Sequence, residues 1–239
     1  MSEKMEAFFT LHRDLVREGP GEAADVAWAA EVAGLAENAE MADIACGAGP
    51  DIEALLLAAP KGHVTALDLT PHFVQAVRAR WGGEDRVTVL RADMSRVANT
   101  HDFIWCAGAA YIIGVDTALK SWRKALRPGG VIAFSDACWF GDKRSARSVA
   151  NWADYPAMVD EAGLLQRIND AGYEVLAQRR VSDQGWENYY APLDARIEAL
   201  RPQADDVLNE VLDEAAEEAA CWRAHRDEFG YVLSVVRPV

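Results

Sequence analysis

The 239-residue sequence has few cysteines, and no pattern joins them into a metal site or a disulfide framework. The four cysteines lie far apart and form no C-x-x-C pair, which argues against zinc binding and against paired disulfides. They are Cys46, Cys106, Cys138 and Cys221. We therefore expect no metal site, and reduced thiols in a cytoplasmic protein.

Long hydrophobic runs are also missing, although 51% of the residues are hydrophobic. No stretch approaches the roughly 20 consecutive apolar residues that span a bilayer. The opening residues 1–9 carry Glu3, Lys4 and Glu6 where a secretory signal would have an apolar run. The sequence thus predicts a soluble protein with no membrane partner.

Positive charge is scarce: 24 Lys and Arg stand against 38 Asp and Glu, so the formal net charge is −14. Such a field repels phosphate backbones, which argues against a nucleic-acid partner. Much of the acidity falls in residues 205–228, where it alternates with Ala, Val and Leu at helical spacing. This pattern predicts the solvated face of a helix. Nothing in the sequence indicates an oligomeric state.

Short apolar runs alternate with helical segments through the middle of the chain, which predicts βαβ units around a mostly parallel sheet. The predicted strands are 40–45, 63–68, 86–91, 102–106, 130–135, 173–181 and 230–236. The predicted helices between them are 51–59, 71–81 and 116–126. Thr70 is the predicted N-cap of the second of these helices, because Pro71 suits a first helical position.

Two helical segments extend this core, and the chain length suits a single domain over residues 1–239. Residues 1–39 are predicted to form a cap of two helices, joined by the loop Glu18-Gly-Pro-Gly21. Residues 182–229 are too many for a simple turn between strands, so we predict a helical lid there. Its two helices are expected near residues 186–200 and 204–227.

The most informative segment is Met41-Ala-Asp-Ile-Ala-Cys-Gly-Ala-Gly-Pro50, a predicted strand followed by a glycine-containing turn and a helix. Gly47 and Gly49 would let the backbone approach a ligand closely. The N–H groups at the start of the helix suit a carboxylate or a phosphate. Taken alone, the segment also fits a tight turn that binds nothing.

Acidic residues end the next two predicted strands. Asp68 follows Gly49 by 19 residues, close to the spacing expected for a carboxylate that accepts hydrogen bonds from ribose hydroxyls. After the third strand, Asp93 could accept from an exocyclic adenine amine while Met94 packs on the ring. Three sites at successive strand ends together predict a nucleoside pocket.

These residues resemble the class I S-adenosylmethionine-dependent methyltransferases. The family's first motif is an acidic residue followed by Gly-x-Gly-x-Gly, and here it reads Asp43-Ile-Ala-Cys-Gly-Ala-Gly49, with Ala45 in place of the first glycine. The resemblance implies a Rossmann-like α/β fold, with a mostly parallel seven-stranded sheet, helices on both faces and a helical lid. It also implies S-adenosylmethionine as cofactor.

The resemblance further implies which residues contact this cofactor. Gly47 and Gly49 would face the methionine moiety, Asp68 and Leu69 the ribose, and Asp93 and Met94 the adenine. The full predicted set is Arg17, Asp43, Ala45, Gly47, Gly49, Asp68, Leu69, Asp93, Met94 and Cys106.

A narrower likeness, to a group of bacterial small-molecule-type methyltransferases, covers almost the whole chain. It is carried by residues 8–12 with 17–21, 104–111, 126–139 and 186–193. It implies that the segment 17–21 folds over the methyl donor, with Arg17 near the methionine carboxylate. The group usually has an acidic residue where this chain has Ala107, which indicates a different substrate or a lost polar contact.

Candidate residues for the methyl acceptor are less specific. Methyl transfer mainly requires alignment and exclusion of water, but an acceptor that loses a proton could use Asp136, His12 or Tyr111 as a base. Aromatic faces can hold a sulfonium or an ammonium, or they can simply pack the lid on the core. The aromatic candidates for substrate binding are Trp105, Tyr111, Trp139, Tyr155, Trp186, Tyr189 and Tyr190.

The sequence therefore predicts an enzyme that transfers a methyl group from S-adenosylmethionine to a small molecule, whose accepting atom it does not identify. Three alternatives remain open. A nicotinamide-dependent oxidoreductase would share the strand, turn and distal acid, but the third glycine of its motif is missing. Ala107 allows a non-catalytic protein that uses the fold for binding. An acidic enzyme could also accept a basic peptide.

Overall fold

A computed structural model describes residues 2–13 and 15–239, and a mixed β-sheet runs through its centre. The strands are β1 (Glu40–Ile44), β2 (His63–Asp68), β3 (Val87–Arg91), β4 (His101–Cys106), β5 (Leu126–Trp139), β6 (Val159–Asp160), β7 (Tyr173–Arg180) and β8 (Phe229–Pro238). Their order is β3-β2-β1-β4-β5-β8-β7, with β6 paired to β5. Among the described strands, only β8 pairs antiparallel, and its partners are β5 and β7.

The predicted α/β class and mostly parallel sheet are confirmed, with one addition to the predicted seven strands. The two-residue β6 pairs with the end of β5 and makes the sheet eight-stranded. Two residues are too short to produce a hydrophobic pattern, so the sequence could not indicate this strand.

Helices cover both faces of the sheet. They are α1 (Glu3–His12), α2 (Ala23–Ala33), α3 (Ile52–Ala58), α4 (Pro71–Trp81), α5 (Ala110–Ile113), α6 (Val115–Trp122), α7 (Ala146–Asn151), α8 (Glu161–Asp170), α9 (Asp183–Leu200) and α10 (Asp206–His225). One hydrophobic cluster contains residues of α2, α3, α9 and α10. The other contains residues of α5, α6 and α8. Because both faces are covered, the central strands are almost continuously apolar.

Most predicted boundaries agree with the structure to within a few residues, and the largest differences have local causes. Strand β5 is 14 residues long and exceeds the predicted 130–135 at both ends, because β4 pairs with it at Leu126 and β8 pairs with it as far as Trp139. Helix α6 ends at Trp122, and a short 3-10 turn completes the predicted helix. Thr70 does precede α4, but its hydroxyl makes no capping hydrogen bond.

Residues 140–172 contain no predicted element, and the structure places α7, β6 and α8 there. The sequence does contain a helix cap and a helical hydrophobic spacing that indicate α8. Asp160 caps this helix by accepting a hydrogen bond from Gly163 N at 2.7 Å, and Leu164 and Ile168 are buried at i, i+4 spacing.

Helices α1, α9 and α10 pack against one another, and α10 also contacts β8. Trp186 on α9 stacks on Trp222 of α10, with ring centroids 5.1 Å apart and an interplanar angle of 11°. Ser182 caps α9 by accepting a hydrogen bond from Gly185 N at 3.0 Å. In the described part of the chain, no helix combines the length and the hydropathy needed to cross a membrane.

Candidate functional site

The loop after β1 turns sharply because three of its residues adopt left-handed backbone conformations. The φ angles are 55° at Ala45, 52° at Gly47 and 75° at Gly49. Ala45 therefore has the conformation that glycine adopts most easily, at the position where the family motif has its first glycine. A Cβ on Gly49 would come within 2.8 Å of Ile52 Cδ1 and 3.1 Å of Val77 Cγ2. A side chain at position 49 would therefore strain the backbone and displace Ile52 on α3 and Val77 on α4.

Asp68, at the end of β2, connects that strand to the loop after β1 by a hydrogen bond. Its Oδ2 accepts a hydrogen bond from Gly47 N at 3.0 Å, and its Oδ1 accepts one from Thr70 N at 2.8 Å. The side chain is largely buried. Because a carboxylate has about four lone-pair sites, it can still accept from ligand hydroxyls.

The carboxyl ends of β1, β2, β3 and β4 surround a cavity of about 440 Å³, which we call the nucleoside cavity. This volume is in the usual range for a small-molecule site. Nine residues predicted to contact cofactor or substrate line it: Arg17, Asp43, Ala45, Gly47, Asp68, Leu69, Asp93, Met94 and Tyr111. Ala107 lines it as well.

Asp43 places a buried carboxylate in the wall of this cavity. Among the described residues, its Oδ2 has no hydrogen-bond partner. Burial, with the nearby Asp51 as a second cause, raises the pKa of Asp43 well above its usual value, while Arg17 lowers it. A ligand that donates a hydrogen bond or carries positive charge would satisfy this oxygen. An ammonium or a sulfonium group would suit this position.

Arg17 reaches the nucleoside cavity from the loop between α1 and α2. Its guanidinium donates a hydrogen bond to Asp51, beside the start of α3. The other oxygen of Asp51 accepts from Trp105 Nε1 at 2.9 Å. Trp105 was predicted to face the substrate, but this bond holds it in the core, outside both cavities described here.

Asp93 and Met94 form the far wall of the nucleoside cavity. Asp93 is exposed, and its Oδ1 accepts hydrogen bonds from Ser95 N at 2.8 Å and from Ser95 Oγ at 2.7 Å. These bonds lower the pKa of the carboxyl. Met94 is buried, and its carbonyl accepts from Trp122 Nε1 at 2.8 Å. The loop is therefore fixed before any ligand arrives.

A second cavity of about 590 Å³, the acceptor cavity, adjoins the first. The two share Glu18, Gly19, Pro20, Phe73 and Tyr111 in their walls, and we call this shared part the junction. Helices α1, α9 and α10 supply much of the remaining wall. The predicted residues that line the acceptor cavity are His12, Tyr111, Tyr155, Trp186 and Tyr189.

The three candidate bases lie in different surroundings. His12 lines the acceptor cavity, and its Nδ1 lies 2.7 Å from Glu18 Oε2. Tyr111 lies at the junction, where burial raises the pKa of its phenol. Asp136 is fully buried behind Tyr155, whose hydroxyl donates to Asp136 Oδ2 at 3.1 Å. Burial raises the pKa of Asp136 to about 7.

Besides Trp105 and Asp136, four predicted site residues do not line either cavity. Cys106 is fully buried in the core, where burial raises the pKa of its thiol. Trp139 packs edge-to-face on Phe229, with centroids 6.2 Å apart. Tyr190 stacks near Trp186 and donates to Glu218 Oε1 at 3.0 Å. Gly49 serves the packing of the turn.

Other residues that shape the cavities were missed from the sequence. Glu18 lies in the loop that carries Arg17, and Asp51 directly precedes α3. Their positions beside predicted cofactor-binding residues could therefore have identified them as site residues. Glu218 was included in the predicted solvated face of residues 205–228, yet it lines the acceptor cavity. Its spacing from Val211, Ala215 and Trp222 places it on the apolar face of α10, which a helical projection would have indicated.

Comparison with known proteins agrees with this geometry. Residues 41–130 match the family model described as a methyltransferase domain. A structure of an S-adenosylmethionine-dependent methyltransferase from Geobacter sulfurreducens, in complex with S-adenosyl-L-homocysteine, is 20% identical with a TM-score of 0.82, and 98% of each chain is covered. The structure of YjhP from Escherichia coli is 19% identical with a TM-score of 0.81, covering 98% of this chain and all of the other.

In sequence, the uncharacterized YjhP is 26% identical over 138 residues, which is 53% of this chain and 54% of YjhP. The aligned part thus spans about half the length of that relative. The structural likeness shows the fold, and the domain match covers the strands that build the nucleoside cavity. Residues 41–130 therefore match a methyltransferase domain, and the chain has the fold of the S-adenosylmethionine-dependent methyltransferase structure to which it is similar.

Proposed function

We propose that the chain binds S-adenosylmethionine in the nucleoside cavity and transfers its methyl group to a small molecule in the acceptor cavity. When bound, this cofactor supplies an electrophilic methyl group on a sulfonium. The observation that carries the proposal is the continuity of the two cavities at Glu18, Phe73 and Tyr111. A transferred group can pass between two sites only where they meet.

The roles of the cofactor-binding residues follow from their places in the nucleoside cavity. Asp68 and Leu69 would hold the ribose, while Asp93 and Met94 would hold the adenine. Arg17, Asp43 and the turn around Gly47 would hold the methionine part. Gly49 and Cys106 would act through the packing of the surrounding loops.

The two helical segments supply the enclosure that such a transfer needs. Residues 1–39 and 182–229 would act as cap and lid of a single domain over residues 1–239. Helices α1, α9 and α10 contribute His12, Trp186 and Glu218 to the acceptor cavity. Excluding water keeps the methyl group from hydrolysis and favours alignment of the reacting atoms.

Isothermal titration calorimetry with S-adenosylhomocysteine and with NADH tests the proposal. We expect S-adenosylhomocysteine to bind and NADH to show no binding. Asp68→Asn replaces one acceptor oxygen by a donor, and we expect it to weaken S-adenosylhomocysteine binding by about tenfold or more.

Asp102→Asn is the matched control for that variant. Asp102 also accepts from a backbone N–H, that of Glu40 at 2.8 Å, but at the opposite edge of the sheet. Its substitution should leave the affinity unchanged. Equal losses in both variants, or tighter binding of NADH, would contradict the proposed cofactor site. Binding of S-adenosylmethionine without transfer to any acceptor would favour the non-catalytic alternative.

A further inference from the structure

The acceptor cavity has an acidic lining. Four carboxylates line it, and none of its described lining residues is a lysine or an arginine. The four are Glu18, Asp154, Glu214 and Glu218. Glu214 is neutralised from α1 by Lys4, whose Nζ lies 2.7 Å from its Oε1. An anionic acceptor would therefore meet uncompensated negative charge.

Glu218 brings a carboxylate to the cavity side of α10, where its Oε1 accepts a hydrogen bond from the Tyr190 hydroxyl at 3.0 Å. It follows Val211 and Ala215 at helical spacing, whereas the neighbouring Glu217 pairs with Arg147 at 2.7 Å. Glu218 is open to the cavity, but the protein around that cavity desolvates it and raises its pKa. A cation in the cavity would relieve this cost.

Aromatic rings form much of the remaining wall. Eight Phe, Tyr and Trp side chains line the acceptor cavity, including Tyr111, Trp186 and Tyr189. Each ring face can attract a cation by about 0.5–2 kcal/mol, depending on desolvation. Rings beside carboxylates form the combination that recognises ammonium groups.

The carboxylates also reach the junction, where the transfer would take place. Glu18 lines both cavities, and its buried Oε1 has no hydrogen-bond partner among the described residues. The charge of Glu218 is close enough to Tyr111 to contribute to the raised pKa of that phenol. A positively charged nitrogen at the junction would therefore be attracted by the carboxylates of both Glu18 and Glu218.

We propose that the methyl acceptor is a small amine, held as its ammonium by aromatic rings, Glu218 and Glu18, and methylated on nitrogen. This inference rests on the proposed methyl transfer. The ammonium first loses one proton to His12, which frees the nitrogen lone pair. An N–C bond then forms as the S–C bond breaks, and sulfur keeps the electron pair of the broken bond.

The test compares three probes of similar shape and different charge: phenethylamine, phenethyl alcohol and hydrocinnamate. Each is titrated by calorimetry into the full chain saturated with S-adenosylhomocysteine. We expect phenethylamine to bind about tenfold more tightly than the alcohol, and hydrocinnamate to bind more weakly still. Glu218→Gln keeps an acceptor for Tyr190 but removes the charge, and should abolish the preference for the amine. Glu217→Gln removes one negative charge from the outer face of α10, and this variant should keep the preference for the amine.

The outcomes separate this inference from the proposed function. Failure of S-adenosylhomocysteine to bind would overturn the cofactor site itself. If it binds, but phenethylamine is bound no more tightly than the alcohol or the carboxylate, the amine inference is wrong and the cofactor site stands. An unchanged preference in Glu218→Gln would also overturn the inference.

Discussion

Ala45 offers a test of the turn that supports the nucleoside cavity. Its φ of 55° lies in the left-handed region, which costs a non-glycine residue about 1–2 kcal/mol. Ala45→Gly would remove this cost. It would also raise the conformational entropy of the unfolded chain, which lowers the free energy of unfolding by about 0.4–1 kcal/mol. Loss of a half-buried methyl group would cost about 0.4 kcal/mol more. The terms nearly cancel, so the free energy of unfolding should change by less than about 1 kcal/mol.

Ala92→Gly is the matched control, because Ala92 also lines the nucleoside cavity, is half-buried and has an ordinary negative φ. It has no strain to lose, so it should be less stable than Ala45→Gly by about 1–2 kcal/mol. For a chain of this size that difference is roughly 2–8 °C in melting temperature. Differential scanning calorimetry measures both variants. Equal decreases in the two melting temperatures would refute the strain assigned to Ala45.

Gly49→Ala should lower the free energy of unfolding by about 2–5 kcal/mol, measured in urea, because the new Cβ meets Ile52 and Val77 in a left-handed turn. Trp186→Ala should lower it by about 3–5 kcal/mol through loss of the stack on α10, whereas a loss below about 1 kcal/mol would contradict that packing. Asp136 has a folded pKa raised to about 7, so the folded state holds a proton that the unfolded state has released. Wild-type stability relative to Asp136→Asn should therefore fall by about 2 kcal/mol between about pH 5.5 and pH 8, and a constant difference would contradict the raised pKa.

The nucleoside cavity could be predicted because its residues follow the strands directly. Asp68 and Asp93 lie where β2 and β3 end, and parallel strands bring such ends to one edge of a sheet. The order of elements is therefore enough to predict which loops meet. The same reasoning located Gly47, although Ala45 required the structure to show its strained conformation.

The acceptor cavity was harder to predict because it is built from segments that are distant in sequence. Trp105 and Trp139 are residue types that often line binding sites. In the structure their rings lie in the core, because Trp105 donates a hydrogen bond to Asp51 and Trp139 packs on Phe229. Glu218 is a residue type expected on a solvated surface. Because α10 packs against α1 and α9, its side chain faces the acceptor cavity. Residue type alone does not distinguish these cases.

The α/β alternation, the mostly parallel sheet and the loops that meet at its carboxyl edge follow from local sequence patterns. These depend on periodicity and on local turn chemistry, which act over a few residues. Long-range packing sets which side chains from α1, α9 and α10 face the acceptor cavity and which charges there have no oppositely charged partner. Those depend on how helices far apart in sequence pack against each other, and that packing is set by the shapes of whole surfaces.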